Sequence, residues 1–261
     1  MKKIIRFILK KKLIKNELTI GSWVMIGNPT SVEVMASAGF DWLAIDLEHT
    51  CIDLETTQTL IQVIQAKNVK ALVRVGKNEE VIIKRVLDMG ADGIIVPMIC
   101  SKEDAERVIN FSKYPPFGKR GVGLSRATGY GSQFEEYKKW VDKELVIIAQ
   151  IEHINAVKNI DEIINVDGID GIFIGPYDLS SSLGYPGNFE EKKVKEAIQK
   201  IIDSCKSNNF PSGFHVVDTD PKSIQLRIDQ GCTFLAYGID YMFMRDSAAN
   251  GIKMIKKKIK R

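Results

Sequence analysis

The chain has 261 residues, is 44% hydrophobic and carries a formal net charge of +4 at pH 7. This length is enough to bury one full core, and a single α/β barrel commonly has this size. Thirteen of the 37 basic residues lie in 1–15 and 253–261, without any acid there, so the other 24 face all 33 acidic residues at a net charge of −9. That sign argues against a general nucleic-acid surface.

The cysteine and hydropathy patterns predict a cytoplasmic protein. The four cysteines lie far apart with no CxxC pair, which is typical of neither a zinc cluster nor a disulfide framework. No apolar run approaches the roughly 20 residues of a membrane span, so we expect no transmembrane segment. Arg6 interrupts the apolar residues of the N-terminus and no small-residue cleavage site follows, so we expect no signal peptide.

Short apolar or β-branched runs alternate with helical patterns at a spacing of about 25 to 35 residues, which is typical of βα units around a parallel sheet. We therefore predict an α/β fold, a (β/α)₈ TIM barrel. The predicted strands are 20–26, 42–47, 71–75, 93–97, 145–151, 170–174, 211–217 and 233–237. The predicted helices are 31–38, 54–67, 78–90, 102–112, 154–165, 190–208, 221–230 and 240–259.

Three stretches lie outside this repeat. We assign residues 1–15 to a basic N-terminal helix extension and 16–261 to a single barrel domain. The basic ends are expected to be solvated helix faces, with contact to anionic lipid as the alternative. Residues 113–140 hold two prolines and five glycines, and long insertions after barrel strands collect on the catalytic face. We predict a substrate lid there, with a plain surface excursion as the alternative.

Polar side chains collect at the predicted C-terminal ends of the strands, where the active site of a barrel forms. They are Asp46, Glu48 and His49 after strand two, Arg74 in strand three, Gln150 and Glu152 in and after strand five, Tyr177 and Asp178 after strand six, and His215 in strand seven. No lysine occupies such a position, since Lys70 begins strand three, so a Schiff-base aldolase is disfavoured. Neither a GxSxG elbow nor a GxGxxG loop after a strand is present.

The residue types at these strand ends predict the chemistry. Glu152 and Asp178 come from adjacent strands with few nitrogen or sulfur ligands nearby, which suits a hard cation such as Mg²⁺ or Mn²⁺. A neighbouring carboxylate would orient His49 for proton transfer. Arg74 at an apolar barrel end needs a partner, and an anionic substrate or an enolate would provide it.

Six blocks of the sequence resemble the metal-dependent class II pyruvate aldolases of the HpcH/HpaI family, from about residue 17 to 250. They are FDWLAIDLEH (40–49), VRV (73–75), LDMGADGIIVPMI (87–99), YPPFGKRGVG (114–123), AQIEHINAVKNIDEI (149–163) and GIDGIFIGPYDLSSSLGYPG (168–187). The resemblance implies a barrel of the phosphoenolpyruvate/pyruvate type. It also implies that Glu152 and Asp178 hold the metal, with Co²⁺ a third option beside Mg²⁺ and Mn²⁺.

The resemblance assigns further roles. His49 and Asp46 would form an acid/base dyad, and Arg74 would face the pyruvate oxygen. Gln150 would line the pyruvate site, and backbone N–H groups around Tyr177 and Asp178 would hold the pyruvate carboxylate. Asp88 would reach a neighbouring subunit's active site, which implies a homo-oligomer, a trimer of dimers. Many relatives carry a small residue in place of Tyr177 and Ser or Thr in place of His153, so the side facing the second substrate differs here.

The expected activity is reversible cleavage of a 4-hydroxy-2-oxo acid into pyruvate and an aldehyde through a metal-bound pyruvate enolate. A related acyl-CoA lyase and an oxaloacetate-type decarboxylase are the enzymatic alternatives, because both reactions pass through the same enolate. A non-catalytic scaffold is the third alternative, and the complete set of Glu152, Asp178, His49 and Arg74 argues against it.

Overall fold

Eight parallel strands close into a barrel in chain order in the computed structural model, which describes residues 9–259. They are β1 Thr19–Val24, β2 Trp42–Asp46, β3 Lys70–Arg74, β4 Gly93–Val96, β5 Val146–Ile151, β6 Gly171–Ile174, β7 Ser212–Val216 and β8 Phe234–Ile239. Each strand pairs with its neighbour in sequence, and β8 pairs with β1. The predicted TIM barrel is confirmed, with every strand in its predicted place.

The helices surround the barrel and follow the prediction with three differences. They are α1 Leu9–Ile14, α2 Pro29–Ala36, α3 Leu54–Ala66, α4 Glu80–Asp88, α5 Lys102–Ser112, α6 Phe134–Lys143, α7 Ile154–Lys158, α8 Ile160–Ile164, α9 Pro176–Ser182, α10 Lys192–Ser207, α11 Pro221–Asp229 and α12 Asp240–Ile259. The prediction lacked α6 and α9. It also joined α7 and α8, which separate at Asn159, where the amide side chain donates to the carbonyl of Cys100 at 2.9 Å.

Large aromatic side chains fill the barrel interior. Trp42 stacks on Phe234 with ring centroids 4.3 Å apart, and Trp23 and Phe173 meet edge to face above them. Gly21 makes room for Trp42, since a Cβ there would lie 2.1 Å from its ring. Short helix α1, the described part of the predicted 1–15 extension, closes the N-terminal end of the barrel with buried Leu9 and Leu13. Residues 1–8 of that extension and 260–261 lie outside the described residues.

Three aspartates, which we call the strand-start aspartates, organise this N-terminal end: Asp41, Asp92 and Asp170. Each directly precedes an even-numbered strand. Each carboxylate accepts a backbone N–H from the preceding odd-numbered strand at 2.9–3.0 Å. Each also pairs with a lysine, at 3.1 Å for Lys12–Asp41, 3.0 Å for Lys70–Asp92 and 3.0 Å for Lys10–Asp170. These ion pairs and hydrogen bonds therefore connect α1 and the N-terminal ends of the strands.

The segment 113–140, predicted as a lid, lies beside the N-terminal end of the barrel, and its residues 134–140 belong to α6. Arg120 Nη2 contacts Asp88 Oδ1 at 2.6 Å, and Arg126 Nη1 donates to the carbonyl of Met89 at 2.7 Å. The prediction of a lid over the chain's own catalytic face is therefore wrong. The segment follows α5 rather than β4, and a barrel helix returns the chain to the N-terminal end before the next strand.

The last helix, α12, extends away from the barrel. Of its twenty residues, Asp240 alone is buried, where its carboxylate accepts the backbone N–H groups of Met25 and Ile26 at 3.0 and 2.9 Å. Beyond its first turn, Met244, Ile252 and Ile255 are each more than half exposed. No helix within residues 9–259 is both long and apolar enough to cross a membrane.

Candidate active site

The paired strands β2 and β3 bring Asp46 and Arg74 side by side at the C-terminal end of the barrel, because these residues are register partners. Arg74 Nε donates to Asp46 Oδ1 and Arg74 Nη2 to Oδ2, both at 2.8 Å. Asp46 is fully buried, and its Oδ1 also accepts the N–H of Glu48 at 3.0 Å. A bidentate pair of this kind fixes the guanidinium plane and its direction.

The Trp23 ring packs against the Arg74 guanidinium, and further rings pack against Trp23. The Arg74 Cζ atom lies 4.4 Å from the centroid of the Trp23 ring, a cation–π contact. His215 packs against Trp23 and Phe173, with ring centroids 5.4 and 6.3 Å away. Burial and the nearby Arg74 charge lower the pKa of His215 to about 3, so this imidazole is neutral at physiological pH. Burial opposes ionisation of Arg74, but Asp46, Glu48 and Glu152 outweigh it and raise its pKa.

Glu48 and His49 lie in the turn that follows β2. Glu48 Oε2 lies 3.3 Å from Arg74 Nη1 and 3.7 Å from His49 Nε2. Burial raises the pKa of Glu48 to about 7, Arg74 opposes the shift, and Asp46 and Asp178 add to it. His49 is exposed over 55% of its side chain. The structure therefore brings His49 next to Glu48, and it directs Asp46 to Arg74 instead of to His49.

Glu152 follows β5 and is 3% exposed. Its Oε1 accepts the N–H of Met98 at 2.7 Å, and its Oε2 accepts the amide of Gln150, which is also buried. Burial raises the pKa of Glu152 to about 7, these two hydrogen bonds oppose the shift, and Glu48 and Asp178 add to it. Met98 has a φ of 55°, an uncommon value for a residue with a side chain, and this conformation directs its N–H at Glu152.

Asp178 lies in the first turn of α9, after β6, and is exposed. The turn passes close over Glu152 because residue 175 is glycine, since a Cβ there would lie 2.9 Å from Glu152 Oε2. Tyr177 is 50% exposed and meets Phe189 edge to face at 4.9 Å. The carboxylates of Glu152 and Asp178 thus share one mouth, as predicted from their positions after adjacent strands.

Two further residues named in the sequence analysis have other partners. Asp88 ends α4 at the opposite end of the barrel, where it pairs with Arg120, so this chain does not bring it to its own mouth. His153 caps α7, and its Nδ1 accepts the N–H of Asn155 at 3.1 Å. A structural role for His153 is therefore apparent, and within this chain Asp88 is an ion-pair partner of Arg120.

Comparison with known proteins identifies this barrel. Residues 19–247 match the family described as HpcH/HpaI aldolase/citrate lyase. The chain is 36% identical over 249 residues to 2-keto-3-deoxy-L-rhamnonate aldolase of Escherichia coli (strain K12), which covers 95% of this chain and 92% of that protein. The chain belongs to the HpcH/HpaI aldolase/citrate lyase family. This is a family of class II pyruvate aldolases, which are carbon–carbon lyases.

Two further family members show the range of the resemblance. The hydroxypyruvate/pyruvate aldolase of Roseobacter denitrificans (strain ATCC 33942 / OCh 114) is 36% identical over 233 residues, 88% of this chain and 90% of that protein. The crystal structure of the HpcH/HpaI aldolase from Desulfitobacterium hafniense DCB-2 superposes with a TM-score of 0.86 at 31% identity, over 95% of this chain and 96% of that one. The similarity therefore spans nearly the whole barrel.

HpcH/HpaI aldolases typically depend on a divalent metal, and the residues present fit such an ion. Within residues 9–259 no cluster of three or more His, Cys, Asp or Glu side chains has metal-binding geometry. Glu152 and Asp178 offer two carboxylates, which matches the habit of Mg²⁺ of using one or two protein carboxylates and leaving its other positions to water or substrate oxygens. The raised pKa of Glu152, caused by burial and increased by Glu48 and Asp178, indicates a place where a cation would relieve repulsion.

Several buried polar atoms at the mouth lack hydrogen-bond partners within the described protein. They are Trp23 Nε1, Glu48 Oε2, Gln150 Oε1 and His215 Nε2. Unpaired buried polar atoms are rare and costly, so their concentration near Arg74 indicates a site built for a polar ligand. Of the residues that define this mouth, sequence reasoning missed Trp23 and Met98. The VPM stretch at 96–98 gave no signal for the left-handed backbone of Met98, whereas Trp23 could have been found as a large residue in β1.

Proposed function

We propose that this chain is a divalent-metal-dependent aldolase that reversibly cleaves a 4-hydroxy-2-oxo acid into pyruvate and an aldehyde. The observation that carries the proposal is the convergence of Arg74, held by Asp46, with the carboxylates of Glu152 and Asp178 at one barrel mouth. A cationic donor and an anionic cation site, side by side, suit a substrate that develops negative charge on an oxygen during the reaction.

Glu152 and Asp178 would hold the cation, with Gln150 orienting Glu152 through its amide. The bound ion supplies Lewis-acid polarisation of the 2-oxo group, a contribution on the order of several kcal/mol. Gln150 Oε1, buried and unpaired, would receive a polar group of the pyruvate portion. Backbone N–H groups at Tyr177 and Asp178 lack intrahelical partners because they lie in the first turn of α9, so they would bind the pyruvate carboxylate.

Arg74 would stabilise the oxyanion that develops on the pyruvate oxygen. Its guanidinium is fixed by Asp46 and the Trp23 ring, so little reorganisation is needed when the charge forms. His49, at the rim of the mouth, would accept the proton of the 4-hydroxyl group during cleavage. The C3–C4 bond then breaks to release the aldehyde, its electron pair forms the pyruvate enolate, and return of a proton to C3 gives pyruvate. In condensation the same imidazole, through a water, would remove a proton from the pyruvate methyl group.

For the aldehyde, we propose a binding position rather than a chemical identity. The relatives named above act on different compounds by their names, 2-keto-3-deoxy-L-rhamnonate in one case and hydroxypyruvate and pyruvate in the other. On this chain the half-exposed Tyr177, resting on Phe189, forms an aromatic wall on the outer side of the mouth. We infer that the aldehyde binds against this wall.

We also propose that the working enzyme is a homohexamer, a trimer of dimers. Two features support an assembly: α12 leaves its own barrel with Met244, Ile252 and Ile255 exposed, and Asp88 lies away from its own mouth, held by Arg120. In that assembly Asp88 would act at a neighbouring subunit's mouth, and α12 would cover apolar surface of another copy.

Metal removal tests the proposed function. Excess chelator should abolish pyruvate release from 2-keto-3-deoxy-L-rhamnonate, and Mg²⁺, Mn²⁺ or Co²⁺ should restore it, because Arg74 alone leaves the 2-oxo group without its Lewis acid. Glu152→Gln and Asp178→Asn should each weaken metal binding in a calorimetric titration. Full activity in excess chelator, or unchanged titrations in both variants, would contradict the proposal.

A further inference from the structure

His215 is a polar residue of the barrel interior that has no role in the reaction proposed so far. It lies near the C-terminal end of β7, and its ring packs against Trp23 and Phe173. Its register partner on β8 is Ala236, whose side chain is a single methyl group. The His215 side chain is partly exposed. Because aromatic rings fill the interior below it, this exposure opens towards the mouth.

Two nitrogen atoms of these packed rings, His215 Nε2 and Trp23 Nε1, lack a hydrogen-bond partner among residues 9–259. An indole N–H can only donate, whereas one nitrogen of a neutral imidazole accepts. Burial and the Arg74 charge lower the pKa of His215, so its imidazole is neutral. The two rings lie 5.4 Å apart at 54°, and their nitrogen atoms do not bond to each other. A ligand hydroxyl, which both donates and accepts, would satisfy both atoms.

The order of the strands indicates which part of a substrate faces these rings. In the proposed function, the donor carboxylate binds at the first turn of α9, after β6, and the 2-oxo oxygen faces Arg74 on β3. Glu152 follows β5 and lies between them. Since C2 of a 2-oxo acid is trigonal, its third substituent, C3, points to the other side of the mouth. That side is formed by β7, β8, β1 and β2, and it holds His215 and Trp23.

We propose that His215 is a specificity-determining residue that binds a hydroxyl group on C3 of the donor, so that this aldolase favours hydroxypyruvate over pyruvate. This inference rests on the proposed function. His215 Nε2 accepts the proton of the hydroxyl group, and Trp23 Nε1 donates to its oxygen. The terminal torsion of histidine is broad and two-fold, so the ring can turn Nε2 towards the mouth. Ala236 beside it is too small to obstruct this rotation.

The extra hydroxyl leaves the course of the reaction unchanged. Removal of a proton from C3 of hydroxypyruvate gives an enolate, and C3 then forms the new bond to the aldehyde carbon. The proton passes to the aldehyde oxygen, so the product is a 3,4-dihydroxy-2-oxo acid and no further reactant is needed. The hydroxyl stays on C3 throughout, so His215 binds the donor and the enolate alike. Its contribution should therefore appear in KM rather than in kcat.

Exchange of the C3 protons with D₂O, followed by proton NMR, measures enolate formation from either donor without an aldehyde. The specificity ratio is kcat/KM for hydroxypyruvate divided by kcat/KM for pyruvate, each measured with Mg²⁺-loaded enzyme and corrected for exchange without enzyme. We expect the wild type to favour hydroxypyruvate. His215→Leu removes the accepting nitrogen and should lower the ratio by about 10- to 100-fold, through a higher KM for hydroxypyruvate.

Two further variants serve as controls. His215→Gln, whose amide can replace Nε2, should keep most of the wild-type ratio. His153→Leu is the matched substitution, because that histidine caps α7 after β5, on the opposite side of the mouth, and its ratio should equal that of the wild type. Thermal unfolding and Mg²⁺ titration establish that each variant is folded and metal-competent.

A His215→Leu enzyme with the wild-type ratio would overturn the inference. So would equal losses with both donors, since that result assigns His215 a purely structural role, and so would a wild type that favours pyruvate. A wild-type enzyme that exchanges the protons of neither donor in Mg²⁺ would instead refute the proposed function, which keeps the two failures distinct.

Discussion

The two ends of the barrel hold largely buried acidic side chains in different ways. At the N-terminal end, Asp92 accepts from the Lys70 ammonium, the Gln65 amide and the N–H of Ala71, all at 3.0 Å. At the C-terminal end, Glu152 is held by two neutral donors, and burial beside other carboxylates raises its pKa to about 7. The first end provides its acids with counter-charges, whereas the second does so for Asp46 through Arg74 and leaves Glu152 for a cation from solution.

The comparison predicts that removing an acid at the N-terminal end lowers stability and leaves activity unchanged. Asp92→Ala should lower the free energy of unfolding by about 3–5 kcal/mol, because it leaves the nearly buried Lys70 ammonium without its partner. Urea unfolding monitored by circular dichroism measures this change, and kcat of the folded fraction should stay near the wild-type value.

Asp41→Ala is the matched control for this prediction. Asp41 and its partner Lys12 are more exposed, at 28% and 31% of their side chains, against 12% and 13% for Asp92 and Lys70. Solvent screens the more exposed pair, so the loss should be smaller. Equal losses in the two variants would show that burial of the lysine does not set the cost.

At the catalytic end, Arg74→Lys should separate chemistry from folding. Lysine keeps the positive charge but loses the planar fork that Asp46 holds at two nitrogen atoms. We expect a folded, metal-loaded enzyme whose kcat falls roughly 10²- to 10³-fold, by analogy with the loss of one oxyanion donor. Oxaloacetate decarboxylation should fall in parallel with aldol cleavage. Normal decarboxylation in this variant would move Arg74 to the aldehyde side of the site.

The raised pKa of Glu152 predicts the smallest effect, a pH dependence of stability in the metal-free protein. Native Glu152 keeps its proton up to about pH 7, whereas unfolded glutamate releases it near 4.5, so the native state binds more protons between these values. Stability should therefore fall as pH rises through this window, by an amount on the order of 2–3 kcal/mol for this residue.

Urea unfolding of chelated wild type and Glu152→Gln at pH 5 and pH 7.5 measures this contribution. The variant lacks the titrating group, so its loss of stability between the two pH values should be smaller than that of the wild type. Mg²⁺ should stabilise the wild type more at pH 7.5 than at pH 5, since the cation binds the ionised carboxylate. Parallel pH dependence in the two proteins would show that Glu152 is not protonated in the native state.

Sequence reasoning located the strands and most of the mouth because those signals are local. Asp46, Arg74, Gln150 and Glu152 lie at or just beyond the ends of apolar runs, and a parallel barrel gathers such ends on one side. The prediction of a lid was wrong because the segment 113–140 follows α5 rather than β4. A barrel helix ends at the N-terminal end of the barrel, away from the mouth.

The sequence by itself determined the number and order of the strands and most of the chemical groups at the mouth, because hydrophobic periodicity and residue type are properties of short stretches. The tertiary structure decided which groups touch. Asp46 faces Arg74 because the β2–β3 register aligns them, and this leaves Glu48 beside His49. Met98 directs its N–H at Glu152, 54 residues away, through a backbone conformation that no sequence pattern marks. Partner choice depends on ångström-scale distances between remote residues, and those distances exist only once the barrel has closed.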